Sequence, residues 1–142
     1  MEGRKLKRML ELKRRIEQAR KGDVAGARKE LEQAEGSLSR AQSEQRARVA
    51  ALSEESDLSL SELIERARFV ELAGQQLTSA RELLAERHRE LVQHEEAMVL
   101  ATRDVRTFEV LTERDREQQR VVVRGQEQRA LDDIVSSRRS KA

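Results

Sequence analysis

Residues 63–105 read LIERARFVELAGQQLTSARELLAERHRELVQHEEAMVLATRDV, and every seventh position, from Leu63 through Val70, Leu77, Leu84, Leu91 and Met98 to Val105, holds a large apolar side chain. Apolar residues at an average interval of 3.5 stay in line only on a helix that supercoils against a second helix lying along the stripe. Neither this stretch nor the rest of the chain contains proline. An all-α fold follows, in which the work of the chain is helix-to-helix contact.

Toward the amino terminus a second helical pattern covers about residues 3–54. Its apolar or small positions are Val24, Ala27, Leu31, Ala34, Leu38 and Ala41, then Leu52. Met9, Leu12, Ile16 and Ala19 keep the same three-and-four spacing one residue out of phase, with Gly22, Asp23 and Gly26 at the junction. That offset predicts a stutter or local unwinding, at a place where each glycine costs a helix interior about 1 kcal/mol relative to alanine.

Between the two patterns, residues 53–61 (SEESDLSLS) lose periodicity and gain small polar side chains that compete with helical backbone bonding, which places a turn over about 55–59. Ser59 followed by Glu62 forms a capping box, and Leu58 and Leu63 stand where a hydrophobic staple would close over it. The second helix is expected from about residue 60 to about 136, with a frayed basic tail over 137–142, the whole chain being one coiled-coil rod.

Partners in an antiparallel hairpin have position numbers that add to a constant. Leu52 with Leu63, Leu38 with Leu77, Leu31 with Leu84 and Val24 with Leu91 all add to 115, and Gln45 with Val70 is the one mixed pair. Alanines between these layers, at Ala27, Ala34 and Ala41 and at Ala73, Ala80 and Ala101, allow close axial approach. The sequence thus predicts a long antiparallel two-helix coiled-coil hairpin. Heptads do not fix orientation, so weak self-association through the second helix stays open, but the intramolecular partner has the far higher effective concentration. The same sum sets Met1 opposite residue 114 and leaves Asp115 onward uncovered, so the second helix overhangs. At about 1.5 Å per residue the paired shaft is roughly 75 Å long and the overhang roughly 40 Å. Both termini then lie at one end, with the basic start beside the overhang that carries Arg138, Arg139 and Lys141.

Composition agrees with a long helix rather than a globular core: of 142 residues 39% are charged and 1% aromatic, the aromatics being Phe69 and Phe108. Phe69 precedes the seam residue Val70 and belongs to the seam edge, whereas Phe108 occupies the alternate seam position after Ala101 and belongs to the core. Net charge is only +2, from 29 basic and 27 acidic residues, which argues against bulk nucleic-acid binding. The first 29 residues are nevertheless strongly basic, with Arg4, Lys5, Lys7, Arg8, Lys13, Arg14, Arg15, Arg20, Lys21, Arg28 and Lys29 against Glu2, Glu11, Glu17 and Asp23. A docking surface for an acidic protein partner fits that cluster. The DNA-binding alternative lacks stacking aromatics and a basic stretch continuous with a parallel dimer seam. No cysteine is present, which fits a reducing compartment, and no segment has the roughly 20 apolar residues of a membrane span, so the chain reads as cytosolic.

Catalytic and cofactor chemistry find no support. His88 and His94 are six apart, on different faces of a helix, and His94 falls in the seam with Arg87. Glu95 and Glu96 have no second Glu-x-x-His element with which to build a di-metal bundle. The serines cluster in the turn and tail without a supporting histidine, and there is no glycine-rich phosphate loop. The expectation is a non-enzyme without metal or cofactor.

The opening Leu6-Lys7-Arg8-Met9-Leu10-Glu11-Leu12-Lys13, the longer second helix, and the carboxyl-terminal Phe108-Glu109-Val110-Leu111-Thr112-Glu113-Arg114 followed by Gln126-Glu127-Gln128-Arg129-Ala130-Leu131-Asp132-Asp133 together resemble the FliJ family. Within the terminal element Gln128, Arg129, Asp132 and Asp133 are similar to that family's Gln-Lys-x-x-Asp-Glu, with Arg129 and Asp133 departing from its Lys and Glu. The resemblance implies a bacterial, cytoplasmic component of a type III export apparatus, flagellar or of the related injectisome YscO group, at the cytoplasmic face of a membrane-embedded machine. Its implied partners are a hexameric export ATPase, whose central hole takes the end carrying both termini, an export-gate protein and export chaperones. Lys5, Arg8, Arg14 and Arg15, with Arg138 and Arg139, become candidate ring contacts, and Phe69 a candidate gate contact. A structural coiled-coil scaffold or tether without a motor is the competing reading, and a basic-arm DNA-binding protein the third.

Overall fold

The structure, a computed structural model, describes residues 2–54 and 57–141. They form two helices, α1 (Glu2–Glu54, 53 residues) and α2 (Leu60–Ser140, 81 residues), with no strand among the described residues. Packing divides the chain into two compact units, residues 19–98 and residues 1–18 with 99–142. In each, a stretch of α1 lies antiparallel against a stretch of α2, the two-helix hairpin that the heptads require.

In the unit of residues 19–98 the turn has the chemistry its sequence indicates. The amide of Glu62 donates to Ser59 Oγ at 3.2 Å and that of Leu63 to the Ser59 carbonyl at 3.0 Å, so Ser59 is the N-cap of α2. Of the turn expected over 55–59, Glu55 and Ser56 lie outside the described residues. The last turn of α1 has no basic residue of its own to meet its free carbonyls. Arg66 of α2 supplies one, donating from Nη1 to the Ala51 carbonyl at 2.8 Å.

Val24, Ala27 and Leu91 form a buried cluster with Leu31 and Met98 packed against it. Ala34, Ala73 and Leu77 are also buried, and Leu38, Leu52, Val70 and Leu84 are half-buried. Val24 and Leu91 meet as the constant of 115 requires, yet Leu31 and Met98 join the same cluster, so layers interdigitate instead of meeting head on. Polar contacts fall further along: position numbers 30 and 87, and 48 and 69, each add to 117, and 28 and 95 add to 123. The excess has a simple cause. Side chains on both helices lean toward their own amino termini, so in an antiparallel pair contacts form between residues whose numbers add to more than the backbone level. On that measure the position opposite Leu63 is Glu54 or the turn itself. Leu63, a seam residue by its heptad, is accordingly 41% exposed, a correction to the sequence reading.

In the unit of residues 1–18 and 99–142, Leu10, Ala101 and Val105 are buried, and Leu6, Lys13, Phe108, Thr112 and Asp115 are half-buried. The seam at the start of α1 therefore runs through 6, 10, 13 and 17. Met9, Leu12 and Ile16, expected in it, are 38%, 48% and 36% exposed, and Ala19 is exposed as well. The local unwinding expected at Gly22, Asp23 and Gly26 is absent, since α1 is helical throughout them. Leu10 lies two heptads before Val24 and Leu6 three before Ala27, so the existing phase already has leucines to bury and needs no insertion.

Gly3 sits against Asp115, where an added Cβ would lie 2.9 Å from Asp115 Oδ2. Beyond that level every residue from Arg116 to Lys141 is exposed, and α2 continues as an uncovered helix of about 37 Å to Ser140. Residues 137–140, expected to fray, are helical.

Candidate functional site

Four surfaces carry the side chains that could meet a partner. The first lies beside the turn, in the unit of residues 19–98. Phe69 is 41% exposed and the Arg48 guanidinium stacks over its ring at 4.9 Å from the centroid. Glu44 holds the same guanidinium, accepting from Arg48 Nε at 2.8 Å. The ring is at the seam edge, as its position before Val70 indicates, and Arg48, Ala51, Arg66 and Phe69 line one shallow pocket with Glu54, Glu62 and Glu65 on its rim. An exposed face of this kind, with an aromatic ring among charged groups, suits a protein contact.

Arg87 forms the second feature, inside the same unit. It occupies a seam position, is half-buried, and donates from Nη1 to Glu90 at 2.9 Å with Glu30 of α1 at 3.5 Å. The hydrogen bond and charge of Glu90, then the charge of Glu30, raise its pKa above an already strongly basic value, so it stays cationic at any ordinary pH. A seam cation thus becomes a cross-helix tie. His94, half-buried in the seam one heptad after Arg87, and His88, exposed, do not converge; among the described residues no group of three or more His, Cys, Asp or Glu is placed to hold a metal ion.

The basic residues form the third surface, in the unit of residues 1–18 and 99–142. Lys5, Arg8 and Arg15 are exposed on α1. Arg14, also exposed, is engaged by Glu109 at 3.5 Å. Lys13 reaches Asp104 at 3.4 Å and lies 6.0 Å from the centroid of Phe108, which is half-buried as its seam position indicates. Arg138 and Arg139 occupy the last turn of α2, where cations complement the helix dipole. They lie further along the overhang than the first group. Gly3 is level with Asp115, so the basic start lies at the foot of the overhang, and the 23 residues from there to Arg138 set the two clusters about 35 Å apart along α2.

Fourth is the uncovered part of α2. Gln128 Nε2 donates to Asp132 Oδ1 at 3.2 Å, one turn on, and Arg129 and Asp133 stand beside them at the same spacing, all exposed. Val121, Val122 and Val123, then Leu131, Ile134 and Val135, are each about half or more exposed. Among the described residues no second helix lies along this bare apolar stretch to stabilise it.

The exposed apolar residues of α1, Met9, Leu12 and Ile16, are what the sequence reading misplaced. The signal was available: stepping back from Val24 by four and three in turn lands on Arg20, Glu17, Lys13, Leu10 and Leu6, which mixes charge and leucine and so loses to the cleaner apolar series beside it.

Compared with known families, the chain matches the family described as flagellar FliJ protein over residues 1–142. No curated protein and no solved structure matches it. Among the described residues no helix is long and apolar enough to cross a membrane. With its full length matched and its two helices paired antiparallel, the chain belongs to the FliJ family, coiled-coil, non-enzymatic components of flagellar protein export.

Proposed function

We propose that this chain is a cytoplasmic stalk component of the export apparatus, that the unit carrying both termini inserts into the central hole of the hexameric export ATPase and promotes its assembly and activity, and that it also contacts the export gate and export chaperones. The observation that carries the reading is the uncovered stretch of α2 from Arg116 to Ser140, exposed on every side, in the same unit as the basic start of α1. A helix without lateral support in its own unit is stabilised by being surrounded, and a ring surrounds. Lys5, Arg8 and Arg15 remain open for acidic groups lining such a hole, with Arg138 and Arg139 entering furthest and Arg14 contributing less because Glu109 already engages it. Phe69, with its stacked Arg48, is the proposed gate contact.

The test is turnover of the purified export ATPase with and without the chain, read together with native mass. The expected result is a several-fold rise in turnover accompanied by hexamers. That rise is lost in Lys5→Glu/Arg8→Glu and in Arg138→Glu/Arg139→Glu variants whose helicity by circular dichroism is unchanged. An ATPase indifferent to the intact chain overturns the proposal and leaves the scaffold or tether reading in its place.

A further inference from the structure

The two flanks of the seam in the unit of residues 1–18 and 99–142 differ in kind. One is closed by charge: Arg14 pairs with Glu109, and Lys7, Glu11 and Glu113 line the same groove. On the other, Lys13 pairs with Asp104 across the helices, and apolar residues flank that ion pair on both helices. Residues three and four apart are surface neighbours on a helix. Met9 and Ile16 therefore flank Lys13, with Leu12 beyond them, while Leu100 and Thr107 flank Asp104, with Leu111 one step further. Leu100 is 59% exposed and Leu111 38%, close to the exposures of the α1 stripe. The apolar stripe of α1, about 10 Å long, and the two leucines about 17 Å apart on the adjacent flank of α2 form a seat for a third helix of three turns.

The rim of that seat is predominantly basic, with Asp104 inside it and Asp115 one turn beyond Leu111 as acidic neighbours. Lys5, Arg8 and Arg15 border the α1 stripe and Arg103 and Arg114 the α2 side, all exposed; on α2 alone Arg103, Arg106 and Arg114 line a shallow groove with Thr107, Val110 and Leu111. A second copy would bring the same cations against these and be repelled, whereas an acidic helix would be drawn in and fixed in register. We infer that this face is a docking site for an amphipathic helix of another protein, with a leucine-type apolar stripe and acidic flanks, which completes a three-helix bundle over Met9, Leu12, Ile16, Leu100 and Leu111. The inference stands on the seam phase and rim charge and does not require the terminal end to enter a ring.

The experiment uses the full chain and a fluorescein-labelled synthetic peptide of three heptads with leucine at a and d and glutamate at e and g. Its counterpart has lysine at e and g. By fluorescence anisotropy at about 100 mM salt the acidic peptide is expected to bind at least tenfold more tightly than the lysine peptide. The Met9→Ser/Leu12→Ser/Ile16→Ser variant should lose at least tenfold of that affinity. Arg103→Glu/Arg114→Glu, which leaves the apolar stripes intact, should weaken the acidic peptide and strengthen the lysine one. Equal binding of both peptides, no binding of the acidic peptide by 100 µM, or full binding by the serine variant overturns the inference. So does a concentration-dependent doubling of mass that the serine variant abolishes, because a second copy would then be the occupant. None of these readouts involves the ATPase, so this inference and the proposed stalk role fail separately.

Discussion

Replacing Leu10 and Leu12 by alanine, one at a time, distinguishes two phases of the same helix. Leu10 is 7% exposed in the structure and Leu12 48%. Burying a leucine side chain contributes about 1.5 to 3 kcal/mol, and truncating it in a packed core costs about 2 to 5 kcal/mol once the cavity is included. A two-helix pack collapses more readily than a globular core, which puts Leu10→Ala near the lower bound, about 2 to 3 kcal/mol. Leu12→Ala forfeits only part of the transfer contribution, opens no cavity, and gains slightly from alanine's helix propensity, so its effect is about 0.5 kcal/mol or less. At roughly 3 to 5 °C per kcal/mol for a chain of this size, Leu10→Ala should lower the midpoint of helix melting by about 10 °C and Leu12→Ala by no more than about 2 °C. Thermal and urea unfolding followed by circular dichroism at 222 nm measures both. If Leu12→Ala destabilised as much as Leu10→Ala, the seam would run through Met9, Leu12 and Ile16 after all, and the apolar docking face would vanish with it.

Three further outcomes follow from particular contacts. Gly22 and Gly26 have nothing within 4 Å of where a Cβ would stand, so Gly22→Ala and Gly26→Ala should each stabilise α1 by about 1 kcal/mol in the same melts, and a loss of stability would mean that the backbone there is not continuous helix. Ser59→Ala removes the acceptor for the Glu62 amide and should cost about 1 kcal/mol, read by urea titration, with Ser59→Asp recovering most of it. Arg87 has a raised pKa, so whatever its ties to Glu90 and Glu30 contribute is fully present below the ordinary arginine value and lost only as pH rises through the higher folded value. Arg87→Gln should therefore shift the melting midpoint by the same amount at pH 7 and pH 10, and a difference that grows with alkali would contradict that assignment.

The hairpin was legible because period and turn agreed: the heptad from Leu63 to Val105, the capping serine and the antiparallel pairing of Val24 with Leu91 are all local or linear features of the chain. Side-chain direction was not. A constant of 115 describes backbone level, and only the lean of the side chains moves the contacts to Glu30 with Arg87 and Arg48 with Phe69 and strips Leu63 of its cover. Seam phase at the start of α1 was misread for a different reason. Two apolar series compete there, and hydrophobicity alone favours Met9, Leu12 and Ile16, whereas burial follows the series in register with Val24 even though it takes Lys13 and Glu17 into the seam. Of the interaction surfaces, the edge placement of Phe69 could be read from its neighbour Val70. Its stacking with Arg48, and the engagement of Arg14 by Glu109, depend on which flanks of two helices face each other.

Past Arg116 each backbone hydrogen bond of α2 can open without disturbing any other element of its unit, so deuterium should enter those amides within seconds while the amides around Val24 and Leu91 resist for far longer. The bare helix is thereby a built-in reporter. Any molecule that encloses it will announce itself as slowed isotope uptake between residues 116 and 140, with no dye or label attached to the protein.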